Sequence, residues 1–444
     1  MLGRARGIAI RAAGAAVVGV GLTYGLKRGL EAEAPFRSRK TLGGDAAVDP
    51  EHLRTVTLPP VQTEGGEARR RVVSFREYGD PAGLPVLFLH APGSSRLELT
   101  SACAEPWDVR LPSGLSKDRE LVAGGAEGGE LPPSSSAAAR LGLRVIAIDR
   151  PGYGSSTDSS PPPASGGLGD TAAWVLAVAD ALGLGKFALV ASGAAGGYAL
   201  ASAAELSKSR PGRISCVAVV GVEGPWQGLA ASRGAVPAGA RAEAARLRRE
   251  ASGAVSVEGP AGRMLGHVSS SVPMVAEAMV LWLRRSAVAE PAGAARDAAR
   301  MLKRAGEPGE AAAMLGAAGG DGRRQAVLGL AGVEALRPGA GGVVADAAAL
   351  SGGAWAIDTD AVAGAMRAPG GAGGAFVQLW HGEDDRCSPV QWAQALAADL
   401  PAGSAQLRVL PGVGHWTLLS KAWPDVLAGV AERMLASATE EESR

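Results

Sequence analysis

The stretch "KFALVASGAAGGYALASAA", Lys186 to Ala204, decides the fold. It begins as a short continuous apolar run, which is typical of a buried strand, and continues with the composition of a helix. Between the two lies a turn of small residues, as a strand that passes directly into a helix requires. Turns of this kind present a nucleophile in enzymes, but the single serine here, Ser192, lies one position too early.

Short apolar runs recur along the whole chain, and helical patterns separate several of them. Residues Thr171 to Leu184 are one such pattern, with apolar side chains at helical spacing. Buried strands that alternate with helices predict an α/β fold with a mostly parallel sheet of about eight strands, covered on both faces. The apolar runs are "PVLFLH" at Pro85, "LRVIAIDRPGYG" at Leu143, "FALVA" at Phe187, "ISCVAVVGV" at Ile214, "AFVQLWHG" at Ala375 and "AQLRVLPG" at Ala405. Two earlier stretches, "RTVTLP" at Arg54 and "RVVSFREYGD" at Arg71, alternate polar and apolar residues, which is typical of half-buried strands.

Two regions interrupt this alternation. Residues 101–139 form a low-complexity insert, which we expect to be a disordered surface loop. Residues 223–374 are helical in pattern and broken by glycine-rich stretches, which predicts a helical cap inserted into the sheet domain. The complete predicted division is an N-terminal segment at 1–30, a linker at 31–53, the first part of the core at 54–222, the cap at 223–374, the second part of the core at 375–434 and a disordered tail at 435–444.

Composition and charge exclude several classes of function. The 444 residues are 47% hydrophobic and 20% charged, which is typical of a globular protein. The formal net charge of +1 gives no indication of a nucleic-acid partner. The cysteines, Cys103, Cys216 and Cys387, are far apart and form neither a disulfide framework nor a metal-binding pair. We therefore expect no metal and no cofactor.

The first 30 residues differ from the rest of the chain, because they are basic and contain no acidic residue before Glu31. The uncharged run Ala12 to Leu26 is 15 residues long, shorter than the ~20 that span a bilayer. Three interpretations remain: a membrane anchor through residues 8–26, an arginine-rich organellar transit peptide, or an unstructured tail. The first two predict a protein that is membrane-associated or targeted to an organelle.

Five stretches, in their order and spacing, make the chain resemble the α/β-hydrolase family in its cap-bearing branch. The resemblance implies the α/β-hydrolase fold for the sheet domain, and it leaves the cap unmatched. The stretches are "REYGDPAGLPVLFLHAPGSSRLEL" (Arg76–Leu99), "RVIAIDRPGYGSS" (Arg144–Ser156), the strand–turn–helix quoted above, "LWHGEDDRCSPV" (Leu379–Val390) and "RVLPGVGHWTLL" (Arg408–Leu419).

The resemblance implies an acid and a base of a catalytic triad. The loop His381 to Pro389 fits the family pattern H-G-x-x-D-x-x-x-P and places Asp385 at the acid position, with Asp384 as the fallback. The motif P-G-x-G-H places His415 at the base position. A carboxylate on one ring nitrogen fixes the tautomer and leaves the other nitrogen free to accept a proton. His90 and the loop's own His381 end strands, and we expect them to be structural.

The nucleophile is missing from the expected position in this comparison. Counting forward from Phe187 places it at Gly193, and counting back from the following Gly-Gly-Tyr places it at Ala194. Neither residue has a group that can be activated. We expect Ser192 to precede the turn, with its side chain directed away from His415. The space that a serine oxygen would occupy is expected to hold solvent or a ligand atom.

The oxyanion loop also departs from the family pattern. In the family, the backbone N–H of the third residue after the strand helps to bind the developing oxyanion. Here the loop is His90-Ala91-Pro92-Gly93, and the third residue is a proline, which has no N–H. A shift of one residue would bring Gly93 into that place instead.

Three functions fit these observations. The first is a catalytically inactive member with a retained Asp–His pair, binding a small apolar ligand or a protein partner under its cap. The second is an active ester or acyl hydrolase that uses Ser192. The third is an enzyme without a nucleophile, in which His415 and Asp385 activate water or abstract a proton. Fold alone does not decide between them.

Overall fold

The computed structural model describes residues 52–62, 68–103, 137–157, 169–223, 274–281, 291–304, 322–351, 376–385 and 388–442, with isolated positions at 309, 311–312, 362 and 364. The N-terminal segment, most of the low-complexity insert and much of the predicted cap lie outside these residues. Within the described ranges, no helix has the length and apolar character needed to cross a bilayer.

The centre of the molecule is a sheet of eight strands in the order β1-β2-β4-β3-β5-β6-β7-β8. The second strand is antiparallel to both of its neighbours, and every other pairing is parallel. The predicted α/β fold is therefore confirmed. The strands are β1 (Arg54–Gln62), β2 (Ala68–Gly79), β3 (Leu84–Leu89), β4 (Leu143–Ile148), β5 (Phe187–Ser192), β6 (Ile214–Val220), β7 (Phe376–Gly382) and β8 (Ala405–Leu410).

Helices cover both faces of the sheet. Because side chains alternate along a strand, Leu87 and Leu89 of β3 pack with the helices of one face, and Val86 and Phe88 with those of the other. Phe88 meets the ring of Trp423 edge to face, with ring centres 5.8 Å apart. The helices of the described residues are α1 (Glu98–Cys103), α2 (Ala137–Arg140), α3 (Gly169–Ala181), α4 (Ala195–Ser209), α5 (274–281), α6 (Pro291–Arg304), α7 (Gly322–Ala335), α8 (Gly341–Ser351), α9 (Gln391–Asp399) and α10 (His415–Glu442).

The chain between β6 and β7 contributes helices α5 to α8 and, in the described residues, no strand. Helix α5 buries Ala276, Val280 and Leu281 against residues at the start of α8. Val275 and Met279 of the same helix are half-buried.

Two predicted boundaries shift. Helix α10 continues to Glu442, so residues 435–442 are helical and do not belong to a disordered tail. Its last turns consist largely of alanine and glutamate, which are good helix formers, and the Lys186 ammonium donates to the Ser437 hydroxyl there. The low-complexity insert likewise begins inside α1 and ends with α2, while residues 104–136 lie outside the described residues.

Candidate functional site

The candidate site lies at the carboxyl ends of the parallel strands, where open α/β sheets bind ligands. The loops after β3, β5, β6 and β7 and the first turn of α10 meet there. The backbone of the loop after β7 is joined to the loop before α10, since the Asp384 N–H donates to the Val413 carbonyl over 3.0 Å. This contact brings the two predicted triad loops together.

Asp385 and His415 are hydrogen-bonded to each other. The His415 Nδ1 donates to the Asp385 Oδ2 over 2.9 Å, and the other carboxylate oxygen accepts from the Ser388 N–H over 2.8 Å. Burial alone would raise the pKa of Asp385, but the His415 charge and hydrogen bond outweigh it and hold the pKa below its ordinary value. The carboxylate is therefore ionised and fixes the imidazole tautomer. Asp384, the fallback acid, is exposed.

A second buried histidine supports this loop. The His381 Nε2 donates to the Ser388 carbonyl over 2.6 Å, and its Nδ1 accepts from the Val222 N–H over 3.2 Å. Burial lowers the pKa of His381, so the ring is neutral. With both ring nitrogens occupied by backbone groups, His381 holds the ends of β6 and β7 together.

The turn between β5 and α4 is made by Gly193. Its φ of +55° lies in the left-handed region, where a side chain is strained, whereas Ala194 has ordinary helical angles (φ −58°, ψ −20°). Of the two positions counted from the sequence, Gly193 is therefore the one with the strained backbone angle of a sharp turn. The hydrogen atoms of glycine offer no group for His415 to activate.

Ser192, the last residue of β5, lies on the other side of the turn. Its hydroxyl bonds to the carboxyl of Glu98 at the start of α1, and the side chain is almost fully buried. Burial raises the pKa of Glu98, partly offset by hydrogen bonds from Ser192 and from the Ala91 N–H. The serine is therefore held between the sheet and α1.

Two residues of the predicted oxyanion loop, Ala91 and Pro92, offer no free backbone N–H among the described residues. The Ala91 N–H donates to the Glu98 Oε2 over 2.8 Å, and Pro92 has no N–H. The residues Ala91 to Ser94 form a tight turn in which the Ser94 N–H donates to the Ala91 carbonyl, with Gly93 at its exposed tip (φ +74°). Pro followed by Gly is common in such turns, so the local sequence "APGS" is sufficient to form this one, and Gly93 lies at its exposed end.

Glu223 occupies the place beside Gly193 that we expected to hold solvent or a ligand atom. A Cβ atom at position 193 would lie 2.7 Å from the Glu223 Oε1. The same oxygen is 3.5 Å from the His415 Nε2, the ring nitrogen opposite Asp385. That expectation was wrong, because Glu223, three residues after the end of β6, extends its carboxylate toward the elbow.

In the sequence, Glu223 marks only the boundary between the first part of the core and the predicted cap. The signal was an acidic residue three positions after a fully buried strand, at the edge of the sheet where ligands bind. Glu98 was also missed, since its partners Ala91 and Ser192 come from two separate places, the loop after β3 and the last residue of β5.

Buried ion pairs lie beside the site and join the sheet domain to the helices between β6 and β7. Arg150, which follows β4, binds Asp346 of α8 with both of its terminal nitrogens, at 3.3 and 2.6 Å. The hydroxyls of Tyr153 and Tyr198 donate to the same carboxylate at 2.5 and 2.8 Å. Burial would raise the pKa of Asp346, but the Arg150 charge outweighs it and lowers the pKa below its ordinary value.

A second cluster repeats this arrangement. The Arg96 Nη1 lies 2.7 Å from both the Asp149 Oδ2 and the Glu334 Oε1, and all three side chains are fully buried. Asp149 follows β4, whereas Glu334 belongs to the last turn of α7. In both clusters, an arginine of the sheet domain binds a carboxylate that comes from the inserted region.

His90 connects the site to the first cluster. Its Nε2 accepts from the Arg150 N–H over 3.1 Å, its Nδ1 donates to the Ala91 carbonyl over 2.8 Å, and the Arg150 side chain donates back to the His90 carbonyl. Burial, with the nearby Arg150 charge, lowers the pKa of His90 to about 3. The ring is neutral and fixes the start of the oxyanion loop.

Comparison with known proteins agrees with the fold class. A family model described as the alpha/beta hydrolase fold matches residues 121–260, a range that contains β4, β5, the elbow and β6. The chain is an α/β-hydrolase-fold protein. Its predicted superfamily is thereby confirmed. The search of curated proteins gave no match.

Solved α/β-hydrolase structures match over nearly their whole length at low identity. A thermophilic esterase from Thermogutta terrifontis is 17% identical, with a TM-score of 0.42, covering 86% of this chain and 99% of the esterase. The esterase EaEST from Exiguobacterium antarcticum is 15% identical, with a TM-score of 0.45, covering 85% and 99%. An α/β-hydrolase-fold protein from Nakamurella multipartita is 16% identical, with a TM-score of 0.44, covering 86% and 99%. At these identities, the likeness concerns the fold alone.

The part of the chain that the structure describes contains no group of three or more His, Cys, Asp or Glu residues arranged to hold a metal ion. In the described residues of this α/β-hydrolase-fold protein, the site brings together the His415 imidazole, the Asp385 and Glu223 carboxylates and the turn at Gly193.

Proposed function

We propose that this α/β-hydrolase-fold protein binds a small ligand at the Asp385–His415 site without forming an acyl-serine intermediate. One observation carries the proposal: Gly193 occupies the turn at which the fold presents its nucleophile, and a glycine has nothing to activate. The ligand would lie beside the inserted helices and would remain chemically unattached to the protein.

The surroundings of the elbow support this proposal. The Ser192 hydroxyl bonds to the Glu98 carboxyl. Among the described residues, no contact between Ser192 and His415 is seen. The oxyanion loop offers neither Ala91, whose N–H is already engaged, nor Pro92, which has none. Losing one oxyanion donor typically costs about 10²–10³ in rate, so acyl transfer is disfavoured twice.

An apolar ligand is the class that we favour. Trp416 follows the site histidine, is half exposed, and meets the His415 ring edge to face, with ring centres 5.3 Å apart. An exposed indole beside a polar site is the arrangement by which proteins bind ligands that are mainly apolar with a few polar atoms.

Labelling with a fluorophosphonate probe tests the proposal, because such probes react with an activated serine. The wild-type protein should form no adduct, and mass-spectrometric mapping should find Ser192 unmodified. An adduct on Ser192 that disappears in both Ser192→Ala and His415→Ala would overturn the proposal and make the protein a serine ester or acyl hydrolase.

A second candidate function is acid–base catalysis without a nucleophile. The Asp385–His415 hydrogen bond of 2.9 Å favours it, because a ligand-binding site alone does not require an oriented imidazole. Turnover of a substrate by wild-type protein, lost in His415→Gln and retained in Ser192→Ala, would establish it.

A further inference from the structure

The Glu223 carboxylate stands where the nucleophile would meet the histidine. Its Oε1 is 3.5 Å from the His415 Nε2, and both side chains are largely buried, with exposed fractions of 14% and 18%. In a triad, the base nitrogen faces a hydroxyl that can donate a proton to it. Here it faces an oxygen that, when ionised, only accepts.

Hydrogen-bond chemistry then constrains the proton on His415. Its Nδ1 donates to Asp385, so a neutral ring would direct the lone pair of Nε2 at a carboxylate oxygen. Two acceptors facing each other in a half-buried site repel. A proton on Nε2 removes the repulsion and converts the contact into a charge-assisted interaction.

The other groups around the ring favour the same state. Among the described residues, the titratable groups shown beside His415 are Asp385 from the loop after β7, Glu223 from the loop after β6, and His381 at the end of β7, whose ring lies 3.7 Å from the Asp385 Oδ2. The first two are carboxylates, and His381 is held neutral by its two backbone bonds. Opposite charges at this distance favour the charged form of an imidazole.

We propose that Glu223 is the third member of this site and that His415 carries a proton on Nε2 at neutral pH, held between the Asp385 and Glu223 carboxylates. The proposal rests on the absence of a serine nucleophile proposed above. His415 then acts toward a ligand as a proton donor: the Nε2 proton passes to a basic atom of the ligand, and the neutral ring recovers a proton from the ligand or from solvent. No bond to the protein forms at any stage.

Nitrogen-15 NMR of the full chain tests this directly. In long-range proton–nitrogen spectra at pH 7, assigned with His415→Gln, the wild-type His415 should show two protonated ring nitrogens. In Glu223→Gln, Nε2 should lose its proton at this pH, and the midpoint of the His415 titration should move to lower pH. The matched control is Glu383→Gln, an exposed glutamate on the neighbouring loop, which should leave the His415 signals unchanged.

A wild-type His415 that is neutral at pH 7, with an unprotonated Nε2, would overturn the inference. The wild-type spectrum decides even where Glu223→Gln fails to fold. This failure is separate from failure of the proposed function, since a fluorophosphonate adduct on Ser192 would refute the absence of a nucleophile whatever the spectrum shows. A protonated wild-type His415 that is unchanged in Glu223→Gln would also contradict the role of Glu223.

Discussion

The Glu223 Oε1 lies 2.7 Å from the point at which a side chain at Gly193 would begin. A serine placed at position 193 alone therefore meets the carboxylate and also takes on the strain of a left-handed backbone angle. We expect Gly193→Ser to react negligibly with a fluorophosphonate probe. The double variant Gly193→Ser/Glu223→Ala should form an adduct at position 193, slowly, because the oxyanion loop lacks its donor.

The control for this experiment is Gly193→Ser/Glu383→Gln, which removes an exposed glutamate and leaves Glu223 in place. It should label no faster than Gly193→Ser. Equal labelling of Gly193→Ser and of the double variant with Glu223→Ala, measured as adduct per minute by intact-protein mass spectrometry, would show that Glu223 does not occupy the nucleophile's space.

Ser192 is expected to contribute to stability and not to the chemistry of His415. Ser192→Ala removes the hydrogen bond to Glu98 and should lower the free energy of unfolding by about 1 kcal/mol. Ser202→Ala is the matched control, since the Ser202 hydroxyl is buried without a hydrogen-bond partner among the described residues. It should be neutral or stabilising. Urea denaturation compares the two, and a costless Ser192→Ala would argue against the Glu98 contact.

His90 should make the protein less stable in acid well before carboxylates titrate. Its pKa is lowered to about 3 in the folded state, mainly by burial, against about 6.5 in the unfolded chain. The unfolded chain therefore binds the extra proton between these values, and stability is complete above pH 6.5 and is lost as pH falls. From pH 7.5 to 5.0, this group alone should cost about 2 kcal/mol.

The measurement is the free energy of unfolding at both pH values for wild type and for His90→Gln, which cannot titrate. The variant should be less stable at pH 7.5 and should lose about 2 kcal/mol less on acidification. Glu98 acts in the opposite sense, since its raised pKa favours the folded state in acid, but it is present in both proteins and cancels. If the free energy of unfolding changed equally with pH in wild type and in His90→Gln, His90 could not be the neutral, buried group described above.

The ion pair between Arg150 and Asp346 should be essential to the folded state. Asp346→Asn leaves the buried Arg150 without its charged partner, and we expect a loss of about 3–5 kcal/mol in the free energy of unfolding. The comparison variant is Asp180→Asn, which breaks the Arg213 ion pair at a carboxylate that is 53% exposed. That change should cost less than about 1 kcal/mol. Similar losses in the two variants would mean that Asp346 is hydrated in solution.

The strands were predictable from the sequence because those at the centre of the sheet are short, mainly apolar runs between turn signals, while β1 and β2 alternate polar and apolar residues. Asp385 and His415 were found because their motifs are local in sequence. Which residue lies at the sharp turn could not be predicted, since counting along the sequence allowed both Gly193 and Ala194. The backbone angle at Gly193 distinguishes them.

The remaining features depend on contacts between distant parts of the chain. Asp346 is 196 residues from Arg150, and Glu334 is 238 residues from Arg96. Neither periodicity nor a local motif in the sequence identifies two such distant residues as partners. The local sequence around a loop arginine also does not show whether its side chain is exposed or buried. Glu223 was overlooked for the related reason that its partners, Gly193 and His415, come from two other loops.

The sheet continues without a gap from β6 to β7, although more than 150 residues separate the two strands in the chain. The pairing of these two strands does not by itself require this particular intervening region. The buried ion pairs do, because Arg96 and Arg150 of the sheet domain bind Glu334 and Asp346, which belong to the insert. An exchange of this region between homologous scaffolds would leave Arg150 without its buried carboxylate and Arg96 with Asp149 alone. The inserted helices and the sheet domain therefore act as one electrostatic unit.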